Sequence, residues 1–399
     1  MLCFLSELRL QLKMTTFATL SPLTSVQKQH LLEKIADDIL CPEELHALLH
    51  VDDSKRLTCY DGFEPSGRIH IAQGIVKAIN VNRLLRSGID CVFYVADWFA
   101  ALNNKCDANI SKIQTLGRYF VEIWKACGML GVSRPVVFNT GQTASVKFVW
   151  ASEFIRQNSS SYWMRVMNIA RSFTVPRLQR CSTIMGRTEG DDQPISQILY
   201  PSMQCADIFE LKLDLVEMGL DQRKVNALAR DYCDKSAELK HHKPVILMHH
   251  MLLGLVGDGK MSKSVPDSAI YMDDSFEEIQ RKIMNASCPE PGEEGGNPIL
   301  EYYKYIVFGA IEQEMIPTEC SLFVILPYGY TDDTVECSRF GKYEELEAAY
   351  MERRITQHVL KSSLVHYVDS LIAPVRAHFE STPELSRLLS EVHSIRSTR

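Results

Sequence analysis

Lys260 and Lys263 stand three residues apart in GLVGDGKMSKS (254–264), a spacing that suits phosphate chemistry. Gly254, four residues and then Gly259-Lys260 also approximate a phosphate-cradling P-loop. That motif needs Ser or Thr after its lysine to hold Mg²⁺. Met261 follows instead, and a thioether is a poor ligand for a hard cation. Pro266 would also interrupt the helix that a P-loop runs into. The alternative is a mobile arm: Gly257 and Gly259 hinge it, Ser262 and Ser264 keep it small, and one helical turn aims both ammonium groups the same way. Two cations on such an arm suit a polyphosphate whose charge rises as a bond breaks. Two lysines alone read better as a solvated basic loop.

A second stretch favours the phosphate reading. EPSGRIHIAQG (64–74) leads from a strand into a helix, whose first N–H groups attract an anion. His70 lies in the first turn, with Gln73 three residues on. A third group is Tyr200, Gln204 and Asp207, spaced by four and three, which form one polar stripe on a helix. Their neighbours in SMQCADIFEL are largely apolar, so the stripe lines something enclosed or its members satisfy one another. Buried polar groups left unpaired cost about 1–3 kcal/mol each.

These groups need a scaffold that brings them together. RLTCYDGF (56–63), CVFYVAD (91–97), PVVFNT (135–140) and PVILMHH (244–250) read as strands. HIAQGIVKAINVNRLLRSG (70–88) and SKIQTLGRYFVEIWKAC (111–127) read as helices, and residues 25–55 look helical, SVQKQHLLEKIADDIL being followed by a helix start at Pro42-Glu43-Glu44. The alternation predicts an α/β fold, a doubly wound parallel sheet whose ligands bind beyond the carboxyl ends of its strands. CPEPGEEGGNP (288–298) reads as a linker. The expected organisation is an N-terminal extension (1–27), a Rossmann-like catalytic domain (28–298) and a mostly helical C-terminal domain (299–399). MLCFLSELRLQLKMTT is read as an extension before a second possible start at Met14, with a short targeting segment as the alternative.

Composition bounds the rest. The chain has 399 residues, 46% hydrophobic and 23% charged, ordinary for a soluble globular protein. No apolar run is long enough for a membrane span. A net charge of −7 excludes a general polyanion binder, so any nucleic-acid surface must be local. Arg165, Arg171, Arg177, Arg180 and Arg187 supply one, in a stretch free of acidic residues; solvated arginines are the plainer alternative. The 12 cysteines show no Cys-x-x-Cys spacing, which argues against zinc and for a reducing compartment.

Together the motifs resemble class I aminoacyl-tRNA synthetases. Lys260-Met261-Ser262-Lys263-Ser264 matches the KMSKS signature, and His70-Ile71-Ala72-Gln73 stands where HIGH is found. CYDGFEPSGRIHIAQG, VADWFAALNNK, YPSMQCADIF and MGLDQRKVNALAR, in order, resemble the tyrosyl-tRNA synthetase family of the eukaryotic and archaeal branch. The resemblance implies a cytoplasmic, dimeric tyrosine–tRNA ligase that uses ATP with Mg²⁺, L-tyrosine and tRNA(Tyr), and has no metal site of its own. His70, Lys260 and Lys263 would be catalytic. Gly67, Gln73, Met261 and Ser262 would complete the ATP site. Tyr200, Gln204 and Gln222 would hold the substrate ammonium, and Tyr60 with Asp207 the phenol. A carboxylate beside a tyrosine offers the acceptor and the donor that a phenol needs. Arg165, Arg171, Arg177 and Arg180 would meet tRNA. The departures are Ala72 and Gln73 within the signature, and Phe99, where some relatives have histidine. Thr356-Gln357-His358-Val359 also replaces a His-Pro-x-Asp segment that helps read the anticodon. A tryptophanyl-tRNA synthetase and a non-catalytic tRNA-binding paralogue are the alternatives.

Overall fold

Six strands form one sheet in the computed structural model, which describes residues 19–50, 55–185, 192–256, 261, 265, 267–316, 323–325 and 338–395. They are β1 (Ala36–Leu40), β2 (Thr58–Phe63), β3 (Asp90–Val95), β4 (Val146–Trp150), β5 (Leu215–Gly219) and β6 (Val245–His249). Their spatial order is β1-β6-β5-β2-β3-β4, parallel except for β1. From β2 the chain winds outward through β3 and β4, then returns to place β5 on the other flank of β2. The winding therefore reverses between β2 and β5, and a crevice opens there at their carboxyl ends.

Side chains alternate across each strand, so neighbours enter different cores. Cys59 and Phe93 join one apolar cluster, while Tyr60 and Tyr94 join the other. The first is organised on α2 (Ile110–Ala126), which follows α1 (Lys77–Arg86) and is capped by the Asn109 side chain. Its Trp124 ring lies 4.7 Å from Phe93 and 4.8 Å from Phe63, and each such buried ring contributes about 1.5–3 kcal/mol. The second cluster is covered by α3 (Ser159–Ser172) and α4 (Ile195–Glu210). After α5 (Arg223–Lys235) and β6, the chain forms α6 (Phe276–Met284), then α7 (Gln357–Glu380) and α8 (Pro383–Ser394).

The first cluster continues into these last helices through Ile279 of α6, Leu364 and Phe379 of α7 and Val392 of α8. Polar contacts reinforce the docking: His378 Nε2 meets Glu122 at 2.8 Å, and Arg376 Nη1 donates to the Asp274 carbonyl at 2.9 Å.

Two local expectations are corrected. Residues 25–55 are not helical throughout: Ala36–Leu40 is the antiparallel edge strand, paired with β6 through Leu40↔Ile246. Pairing to a formed edge outweighs the weak helical preference of ADDIL. PVVFNT adds no strand to the main sheet either. Val136–Val137 closes a small hairpin with Thr143–Ala144, and β4 takes the sheet edge.

Candidate functional site

A cavity of about 330 Å³ fills the crevice between β2 and β5. At one end α4 presents its polar stripe as expected. Asp207 is fully buried, and its Oδ1 accepts from Tyr94 at 3.0 Å and from Tyr162 at 2.8 Å. Its Oδ2 is buried without a hydrogen-bond partner among the described residues. Burial pushes the carboxyl well above its usual range, against the pull of the two tyrosine hydroxyls. Tyr60, from β2, lines the same end, and its hydroxyl makes no hydrogen bond among the described residues. The cavity thus ends in an acceptor atom and a hydroxyl, both awaiting a partner.

Two turns back along α4, Tyr200 donates to Glu64 Oε1 at 2.5 Å, and Asn103 holds the same carboxylate at 3.0 Å. Gln204 Nε2 donates to Gln222 Oε1 at 3.2 Å. A carboxylate and two amide side chains here form a middle section suited to a cation. Phe99 closes the wall, edge-on to Tyr200 with centroids 4.9 Å apart.

The other end is built by the signature segment. Gly67 adopts φ +145°, which only glycine tolerates readily, and turns the chain into Arg68. His70 is paired backbone to backbone with Tyr271 and stands just before a π-helical turn, Ala72–Val76, rather than inside a first helical turn. His70, Ala72, Gln73 and Met261 all line the cavity; Gly67 does not, and acts through the backbone. Gln73 Oε1 is buried without a partner among the described residues. Lys260, Ser262 and Lys263 lie outside the described residues. Met261, between them, packs beside the first core cluster.

Residues far apart in sequence thus converge on one cavity, with a buried polar end and a signature-bearing end. A family model for tRNA synthetases class I (W and Y) matches residues 52–371. The chain belongs to this family. It is 42% identical to tyrosine–tRNA ligase 1, cytoplasmic, of Arabidopsis thaliana, over 94% of this chain and 90% of that protein. The tyrosyl-tRNA synthetase of Leishmania major in complex with tyrosinol superposes with a TM-score of 0.81 at 40% identity. That match covers 94% of this chain and 61% of the Leishmania chain. The tyrosyl-tRNA synthetase of Pyrococcus horikoshii complexed with L-tyrosine gives 0.78 at 28% identity, covering 94% of this chain and 100% of that one.

For a class I synthetase of this branch, the structure adds residues that the motifs did not reveal. Tyr94, Tyr162 and Glu64 complete the shell around the stripe. Beneath the cavity, Lys77 is almost fully buried and bonds Asp61 and Glu217, the latter at 2.5 Å. Glu217 also binds His249 Nδ1 at 2.6 Å and receives Asn80 Nδ2 at 3.2 Å. Burial opposes the charged Glu217 carboxylate, but Lys77 and then His249 override it and pull its pKa down to about 2. Burial lifts Asp61 to about 6, with Lys77 opposing. No motif marks this lysine of α1 or the carboxylates of β2 and β5, and only the strand pairing joins them.

The arginine stripe divides. Arg165 bonds Glu210 at 3.1 Å and Glu238 at 3.1 and 3.2 Å, and Arg177 bonds Asp231 at 2.7 Å. Arg171 and Arg180 are exposed, and Arg187 lies outside the described residues. In the tail, Thr356 caps α7 by accepting from Val359 N at 3.4 Å, and Val359 packs partly against the core.

Proposed function

We propose that the chain is a tyrosine–tRNA ligase: it activates L-tyrosine with ATP and transfers the tyrosyl group to the 3′ end of tRNA(Tyr). The observation that carries this reading is the buried Asp207 Oδ2 beside the Tyr60 hydroxyl at the blind end of the cavity. A phenol donates to the first and accepts from the second. An indole N–H donates but accepts nothing, so tryptophan would leave Tyr60 unmatched. The relatives named above, tyrosine–tRNA ligases and tyrosyl-tRNA synthetases, support the same reading.

With the phenol at Asp207, the ammonium falls beside Tyr200, Gln204, Gln222 and the Glu64 carboxylate. The substrate carboxylate is already ionised and attacks the α-phosphorus of ATP without a protein base. Positioning and charge stabilisation therefore set the rate. His70 donates to a phosphate oxygen, with Gln73 beside it. Lys260 and Lys263 hold the departing pyrophosphate, with Met261 and Ser262 between them in the sequence contributing to the ATP site. ATP would enter as its Mg²⁺ complex, the ion offsetting part of the phosphate charge that His70, Lys260 and Lys263 meet.

The tRNA acceptor arm would reach the exposed Arg171 and Arg180, with Arg165 and Arg177 exchanging carboxylates for phosphates. The apolar side chains of Trp163, Met164 and Met167 project from α3 into solvent, with Val175 and Ile195 exposed as well, and we place the contact with a second copy there. The catalytic portion is 28–298, the helical tail is 299–399, and the setting is cytoplasmic, as the Arabidopsis relative's name has it. Among the described residues no helix is long and apolar enough to cross a membrane.

Charging tests the proposal. Purified protein with ATP, Mg²⁺, labelled tyrosine and a tRNA(Tyr) transcript should yield tyrosyl-tRNA. Active adenylate formation without charging would leave only a paralogue with altered duty.

A further inference from the structure

His393, in the last turn of α8, is remote from the signatures in the chain and reaches them through one carboxylate. Its Nε2 donates to Asp273 Oδ2 at 2.6 Å. The imidazole is half exposed, whereas only 1% of the Asp273 side chain meets solvent. A carboxylate so buried needs donors on both oxygens. Tyr119 of α2 donates to Oδ1 at 3.0 Å, and Arg68 Nε reaches both oxygens at 3.0 Å. Burial works against the Asp273 charge, but His393 and then Arg68 hold its pKa below the ordinary carboxylate value.

Arg68 links this carboxylate to the cavity. Its Nη2 also donates to Asp274 Oδ1 at 2.9 Å, and its guanidinium lies 4.3 Å over the Tyr271 ring. Lys282 of α6 donates to Asp274 Oδ2 at 2.5 Å, so Asp274 has a cation of its own. Arg68 stands two residues before His70, on a segment laid against 270–272. Ile71 N donates to the Ile270 carbonyl at 2.8 Å, and Met272 N donates to the Ile69 carbonyl at 3.0 Å. His70 is thus held by backbone on either side and by the Arg68 fork behind it. The stretch that Asp273 anchors is also the one into which the KMSKS segment runs.

Packing of α8 delivers the imidazole. Thr382 caps the helix by accepting from Leu385 N at 3.3 Å, Ser386 Oγ donates to the Phe379 carbonyl at 2.9 Å, and Val392 is buried in the same turn as His393.

We infer that His393 is a positioning residue for adenylate formation: by holding Asp273 it fixes Arg68, and through Arg68 the placement of His70 against the phosphates of ATP. This inference rests on the ligase reading and gives the helical tail a part in its first step. His393, Asp273 and Arg68 do not line the cavity and act only through His70. A small misplacement of a donor to the reacting phosphate is enough to slow the step.

Tyrosine-dependent ATP–pyrophosphate exchange, expressed per tyrosine-binding site counted by titration, tests it. His393→Ala removes a half-exposed side chain and should melt near the wild-type temperature. It should lower kcat about 3–10-fold, the value of one hydrogen bond, and leave the Kd for tyrosine unchanged. His393→Gln keeps a donor toward Asp273 and should recover most of that loss. Arg68→Lys keeps the charge but loses the fork, and in that background His393→Ala should cost less than about twofold further. Four results would overturn the inference: unchanged kcat in His393→Ala, an equal loss in His393→Gln, a full additional loss in the Arg68→Lys background, or a loss matched by fewer tyrosine-binding sites. Absence of tyrosine-dependent exchange in the wild type would instead remove the ligase reading beneath it.

Discussion

The two ends of the cavity are built by opposite strategies. At the amino-acid end, Asp207, Tyr94 and Tyr162 are fully buried and hydrogen-bonded to one another before any ligand arrives. At the nucleotide end, backbone segments lean on one another. Ile71 N donates to the Ile270 carbonyl at 2.8 Å, and Met272 N donates to the Ile69 carbonyl at 3.0 Å. Arg68 beside the signature is clamped by Asp273 and Asp274, and Asp273 is held in turn by Tyr119 and by His393 of α8. Choosing a phenol needs fixed, dry partners, because an unmatched group there is costly. Phosphoryl transfer needs charge that strengthens only as the bond breaks, which is the role proposed for Lys260 and Lys263.

The largest expected effect separates these strategies. Lys263→Ala should lower kcat for pyrophosphate exchange by about 100–1000-fold, as loss of one transition-state donor does, while tyrosine affinity measured by titration stays near wild type. Equal losses in both would erase the division between the ends. Next comes Asp207→Ala, which should reduce kcat/KM for tyrosine by about 100-fold, the worth of a hydrogen bond to a charged or strongly polarised group, with the KM for ATP much less changed. A change confined to ATP would reverse the orientation proposed for the substrates.

The buried cluster beneath both ends predicts a loss of stability. Lys77→Met leaves Asp61 and Glu217 facing each other without a cation, and should cost about 3–5 kcal/mol in urea or thermal unfolding. The pH dependence carries a sign. The folded-state pKa of Glu217 is depressed, so its contribution is complete above the ordinary value near 4.5 and is lost as pH falls toward about 2. Asp61 is raised to about 6, so its ionisation works against the fold as pH rises from about 4 through 6. Lys77→Met should flatten the acid limb of a stability–pH profile; an unchanged limb would remove Glu217 as its source.

Much of this was legible in the chain, for definable reasons. Tyr200, Gln204 and Asp207 share one helix, so their spacing alone put them on one face. The signature residues His70, Gln73 and Met261 could be read because each belongs to a short contiguous motif. Tyr94 and Tyr162 could not, since each sits singly on a different element and acquires its role only when the sheet assembles; Glu64 opens the quoted EPSGRIHIAQG stretch, but its partner Tyr200 lies far along the chain. Glu217 and His249 were hidden similarly: LVEMG is a five-residue buried strand without alternation, and its pairing with β6 places Gly219 opposite His249. Ala36–Leu40 was misread because an edge strand borrows its stability from its neighbour.

The most direct measurement is pyrophosphate exchange by the wild-type protein with tyrosine, phenylalanine or tryptophan as the sole amino acid. The buried Asp207 oxygen and the Tyr60 hydroxyl predict exchange with tyrosine and almost none with the other two. Exchange supported by tryptophan, or equally by phenylalanine, would show that the blind end of the cavity does not read a phenol.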